Sequence, residues 1–193
     1  MESTTGSLAL GHESSSSRSS ARAIAIEATR LLVLGAVAVA LHAATRRRIE
    51  LGPGHQGIVW MALLMIGRVT SRREWAGVTA AAGAAGATML PFWRLGDPFL
   101  WFAYVLAGAI VDVGYAAFSR WRDRLWMLAV LGGAAHATKP LIRVVLSQLG
   151  FRRYESLLAG LPFPLATHFL FGTAGALVGC GLLYLSRSLK RAR

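Results

Sequence analysis

Near-membrane-length apolar stretches, divided by short arginine clusters, constrain this chain more than any other feature. Trp75–Trp93, Phe99–Phe118 and Phe163–Leu185 are the clearest. About 20 mostly apolar residues, rising ~1.5 Å each, cross the hydrocarbon core of a bilayer. A soluble domain of 193 residues would carry more charge and show polar helix faces. Here 54% of the residues are hydrophobic and only 16% are charged, the balance of a polytopic helical membrane protein. The net charge of +12 does not indicate nucleic acid, because the arginines are dispersed between apolar segments rather than massed on one amphipathic face. Basic loops beside spans account for them. Cys180 is the sole cysteine, which excludes a disulfide framework and a CxxC-type metal site.

Six apolar segments divide the chain: Ala23–Ala44, Gly57–Val69, Trp75–Trp93, Phe99–Phe118, Leu125–Leu146 and Phe163–Leu185. Backbone groups in lipid must be satisfied within their own segment, and no period-two alternation indicates a barrel, so the expected fold is an all-α bundle of six transmembrane helices. Residues 1–22, with serines at 14–17, 19 and 20, are expected to form a disordered cytoplasmic tail ahead of a transmembrane domain at 23–190. They lack a signal-peptide pattern, so the first apolar stretch is expected to act as an uncleaved anchor. With Arg68 counted at the end of the second segment and Arg30, Lys139 and Arg143 left out, Lys and Arg fall twelve on the N-terminal side and six on the other. That asymmetry places both termini in the cytoplasm of a multi-pass inner-membrane protein. Trp60, Trp93, Trp101 and Trp126 stand near segment ends, where indoles suit the headgroup level.

The second segment is the irregular one. Its 13 residues would rise ~20 Å against a core of ~30 Å. Arg68 is expected to snorkel to the inner surface, which leaves the other end inside the bilayer beneath the loop Leu51-Gly-Pro-Gly-His-Gln-Gly57. Short or Gly/Pro-interrupted spans border ligand sites in transporters, where unwound backbone lines a cavity; an ordinary tilted helix is the plain alternative.

Polar residues within spans are costly and therefore candidates for function. His42, His55, Gln56, Tyr104, His136, Lys139, Arg143 and His168 all fall in the outer half under this topology. His136, Lys139 and Arg143 share one helical face, and Pro140 removes a hydrogen bond from the carbonyl one turn earlier. A cationic stripe at such a point suits an anionic or acceptor-rich small solute; outward snorkelling of Lys139 and Arg143 is the plain alternative. The outer histidines show no tight metal-ligand spacing, and no metal is assigned. Asp112 lies deeper, as a buried acceptor or the partner of a cation. Glu27 and Arg30, three apart, are expected to pair. No GxSxG, HExxH or Walker-type run occurs, so the chain is not expected to be an enzyme. Small residues crowd the third segment and recur at Gly35, Ala36, Ala38 and Ala40 in the first; such faces pack closely within a bundle or against a partner.

Size, six spans, cytoplasmic termini, the run Gly52-Pro53-Gly54-His55-Gln56-Gly57 before a short second span, and the Ala-x-x-x-Ala pair Ala36 and Ala40 are the features that carry a family likeness. Over residues 23–190 the chain resembles the substrate-binding S components of energy-coupling factor vitamin transporters. The resemblance implies a first outer loop that closes over a solute held in the outer half of the bundle. It also implies docking of the first span, through Ala36 and Ala40, on a transmembrane coupling subunit driven by two ATPase subunits. The Met-His start of nickel and cobalt relatives is missing. The expected function is therefore non-enzymatic capture of a vitamin-like or other small polar solute, without a cofactor. His55, Gln56, Trp60, Tyr104, His136, Lys139 and His168 are expected to face the ligand. A structural subunit of a larger membrane complex, and an intramembrane enzyme, are the alternatives.

Overall fold

The computed structural model describes residues 7–45, 53–91, 97–158 and 160–191, with side chains from residue 20 onward. All regular structure among them is helical. Six α-helices follow in order: α1 (Ser7–Thr45), α2 (Gly57–Thr70), α3 (Ala76–Thr88), α4 (Leu100–Ala117), α5 (Leu125–Gln148) and α6 (Pro162–Arg191). Short 3₁₀ turns occupy Ser119–Trp121 and Glu155–Leu157. Among the described residues, four stretches are long and apolar enough to cross a membrane: Ser20–Thr45 within α1, Leu100–Ala117, Leu125–Gln148 and Pro162–Arg191. Large apolar side chains point out of the bundle along them, among them Leu32, Val33 and Val37 on α1 and Leu170, Val178 and Leu182 on α6. Outward apolar faces on span-length helices are what a lipid solvent selects, and they mark a membrane-embedded protein.

The two short helices are explained by their surroundings. α2 is 14 residues, about 21 Å. It packs against all five other helices and supplies the centre of the core with Trp60, Met61, Leu64 and Met65. A helix surrounded by protein need not match the bilayer thickness, because its ends meet side chains rather than headgroups. Arg68 accordingly does not snorkel: it is buried and paired with Asp112 on α4 at 3.2 Å. Trp60, placed at the headgroup level by its position near a segment end, is turned inward and buried. α3 is also short, 13 residues rather than the stretch to Trp93; Trp93 lies outside the described residues. It packs between α1 and α4.

Small residues make these approaches possible. A Cβ at Gly35 on α1 would overlap the Ala80 carbonyl of α3, and one at Gly83 on α3 would overlap the Leu32 carbonyl of α1. The sequence places close packing correctly on the first and third segments, and the stripe is used within the chain. Ala36 and Ala40, the expected partner-docking pair, are half-buried, and Ala36 packs on the chain's own core. α6 uses the same device, with Gly175 and Gly179 lying against the α2 backbone at Ile58 and Ala62.

The α3 N-terminus is held from a distance. Asp112 accepts hydrogen bonds from the Gly77 and Val78 backbone N–H groups at 2.8 and 2.7 Å, which are among the donors that a helix start leaves unpaired. Arg68 lies over the Tyr115 ring at 4.5 Å and also donates to the Arg73 carbonyl. Glu27 accepts from Ser71 Oγ at 2.5 Å and from Arg73 Nε at 3.1 Å, so its ion-pair partner is Arg73 beyond the end of α2 rather than Arg30 on its own helix.

Candidate functional site

At the other end of the bundle, polar side chains from four helices and one turn converge. His42 (α1), Gln56 (the turn before α2), Trp60 (α2), Tyr104 (α4), and His136 and Lys139 (α5) line one cavity, closed on its apolar side by Leu100, Ala103, Ala107 and Ala135. The Tyr104 hydroxyl and His42 Nδ1 are hydrogen bonded at 2.8 Å. The Tyr104 ring meets Trp60 edge-on, with centroids 4.5 Å apart. His136 Nε2–H donates to the Gly54 carbonyl at 3.1 Å and so ties the Pro53–Gln56 turn to α5.

Glycines decide the closeness of this turn. A Cβ on Gly57 would overlap the His136 imidazole. Gly54 adopts φ of 89°, in the left-handed region open to glycine, and rests on the His168 ring. Gly54 and Gly57 thus let the non-helical backbone of the Pro53–Gln56 turn settle onto two histidines.

Of the residues assigned to the ligand from sequence, Gln56, Trp60, Tyr104, His136 and Lys139 line the cavity together. His168 sits behind them. Its ring lies 5.0 Å from that of His136, and its Nδ1–H donates to the Pro164 carbonyl at 2.7 Å. His55 turns toward α6, edge-on to Phe171 at 6.5 Å. His42 joins the lining although it was not among the assigned residues; its signal was its depth near the end of α1, level with Tyr104. Among the described residues, no three His, Cys, Asp or Glu side chains are grouped so as to hold a metal ion.

The cavity is small. It holds about 10 Å³, room for about one water molecule. The polar groups therefore mostly touch one another, and a vitamin-sized solute requires the Tyr104–His42 contact or the Pro53–Gln56 turn to move.

One turn beyond Lys139, Arg143 leaves this lining and enters a clamp. It donates to Asp97 Oδ2 at 3.1 Å and to Ser156 Oγ at 3.3 Å, and stands over the Tyr154 ring at 5.1 Å. Tyr154 donates to Asp97 Oδ1 at 3.3 Å. Burial, and then the Asp97 carboxylate, push the Tyr154 phenol above its ordinary value, so it remains a donor at neutral pH. The clamp joins α5, the start of α4 and the segment leading to α6. Arg143→Ala is expected to cost about 1.5–3 kcal/mol, the scale of hydrogen bonds to charged groups. It should also raise hydrogen–deuterium exchange across residues 151–158; unaltered exchange there would mean that Arg143 does not hold that segment.

Comparison with protein-family models, with curated proteins and with solved structures finds no match. The fold and the outward apolar faces define an α-helical membrane protein.

Proposed function

We propose that this protein is a non-enzymatic, membrane-embedded binding subunit that captures a small polar solute at the His42/Tyr104/His136 end of the bundle. One observation carries the reading: His42, Gln56, Trp60, Tyr104, His136 and Lys139 converge from separate elements on one cavity beneath a turn of non-helical backbone. Polar groups at membrane depth are costly, and non-helical backbone at that depth is tolerated where it lines a cavity. Imidazole, amide, hydroxyl and ammonium groups suit a solute rich in acceptors or carrying negative charge.

In this reading all six helices cross the inner membrane, with α2 enclosed by the others and α3 packed between α1 and α4. Both termini are cytoplasmic, and the cavity faces outward. The Pro53–Gln56 turn lifts to admit the solute, breaking the Gly54–His136 hydrogen bond, and closes over it. Solute binding is thus coupled to a conformational shift that enlarges the cavity. The resemblance to S components of energy-coupling factor transporters extends the reading to uptake of a vitamin-like solute. A transmembrane coupling subunit and two ATPase subunits would drive it, with docking through the half-exposed Ala36 and Ala40 face of α1.

The test is binding of a panel of radiolabelled vitamins to the full chain in lipid nanodiscs, with native mass spectrometry to find any co-purified small molecule. A solute should bind, and His136→Ala and Lys139→Ala should each weaken it roughly tenfold or more, the scale of a lost hydrogen bond to a charged or buried group. Equal affinity in both variants rejects those residues, and the absence of any bound solute rejects the function. The smallness of the cavity favours one rival, an assembly subunit of a larger membrane complex in which the polar cluster only ties helices together. That reading predicts no solute in either assay.

A further inference from the structure

A larger opening than this cavity lies at the opposite end of the bundle. Between the end of α2, the start of α5 and the last turns of α6 is a cleft of about 250 Å³. Val69, Leu125, Leu128, Cys180 and Leu183 make its wall apolar, while Arg122, Arg187, Asp123 and Tyr184 bring polar groups to it. Arg122 and Arg187 are exposed, and neither side chain is ion paired with another described residue. The first residue of α5, Leu125, also lines the cleft, so the positive end of that helix dipole adds to the two guanidinium groups. Among the described residues lining the cleft, Asp123 is the single opposing charge.

We propose that this cleft binds the headgroup of an anionic glycerophospholipid, its phosphate held by Arg122 and Arg187 and an acyl chain following the apolar wall. Charge and position argue for a lipid. Guanidinium groups match phosphate oxygens in geometry as well as charge. A basic pocket between spanning helices at the membrane surface suits an anionic headgroup. A free anion would have no use for the adjoining wall of Leu125, Leu128 and Leu183, whereas a lipid's first methylenes would cover it. Tyr184 adds an amphipathic ring to the lining. The assignment is independent of solute capture at the other end.

Native mass spectrometry on the delipidated full chain in detergent tests it, with dioleoylphosphatidylglycerol, dioleoylphosphatidylcholine and inorganic phosphate as probes. Phosphatidylglycerol should bind roughly 10- to 30-fold tighter than phosphatidylcholine, the scale expected from two arginines at an anionic surface. The double variant Arg122→Gln/Arg187→Gln should lose that preference. Arg72→Gln, which removes an exposed arginine at the same end but outside the cleft, should keep it. Should the double variant fail to fold, Arg122→Lys/Arg187→Lys should still prefer the anionic lipid, and the wild-type comparison decides by itself. Equal affinity of wild type for the two lipids overturns the proposal. Displacement of phosphatidylglycerol by an equal concentration of inorganic phosphate also overturns it, making the cleft a free-anion site.

Discussion

Asp112→Ala is expected to lower the stability of the bundle by about 3–5 kcal/mol, the cost of stripping one partner from a buried ion pair. The carboxylate holds three groups together: the Arg68 guanidinium and the two N–H groups that open α3. Arg68 is 4% exposed and cannot reach water when its counter-ion is removed. The backbone donors of Gly77 and Val78 lose their acceptor in the same step. Asp112→Asn should cost less, because an amide oxygen still accepts from one N–H. The double change Arg68→Met/Asp112→Ala should cost less than Asp112→Ala by itself, since no unpaired charge then remains inside. Unfolding in mixed detergent and dodecyl sulfate micelles measures all three. An Asp112→Ala protein as stable as wild type would show that the pair carries no weight in the fold.

Gly35→Leu should be the most damaging glycine substitution on α1. Even a Cβ there meets Ala80 and lies 2.7 Å from the Ala84 nitrogen, and these are backbone atoms that cannot swing aside. α1 and α3 must separate, and the reciprocal approach of Gly83 to Leu32 opens with them. Overpacking of this kind costs typically about 1–3 kcal/mol, and here the atoms in the way belong to the α3 backbone at Ala80 and Ala84. Gly86, on α3 itself, is the control: it is exposed, and a Cβ there meets nothing within 4 Å. Gly86→Leu should stay within about 0.5 kcal/mol of wild type. The same micelle unfolding separates the two, and equal stabilities would refute the tight α1–α3 contact.

The cavity lining shows how far a linear reading reaches. Depth along a span is legible in sequence, because one residue is one step of rise, and depth grouped Gln56, Trp60, Tyr104, His136 and Lys139, which line one cavity. Azimuth is legible only within a helix. It placed His136, Lys139 and Arg143 on one stripe, but a neighbouring loop took Arg143 into the Asp97–Tyr154 clamp. The size of the space between the groups depends on how several helices approach one another. Here Gly54 and Gly57 let the turn settle onto His136 and His168 and left room for little more than a water.

Hydropathy by itself determined that the chain is a bundle of helices with lipid-facing surfaces, and it placed the α5 start at Leu125 and the α2 start at Gly57. The transfer cost of unpaired backbone and charge in hydrocarbon is steep enough to be read one residue at a time. Only the tertiary structure decided that the shortest apolar run, α2, lies inside. It also paired Arg68 with a carboxylate 44 positions away rather than with the surface. Both outcomes depend on which helix packs against which, and small residues set that by the distance at which two backbones can meet.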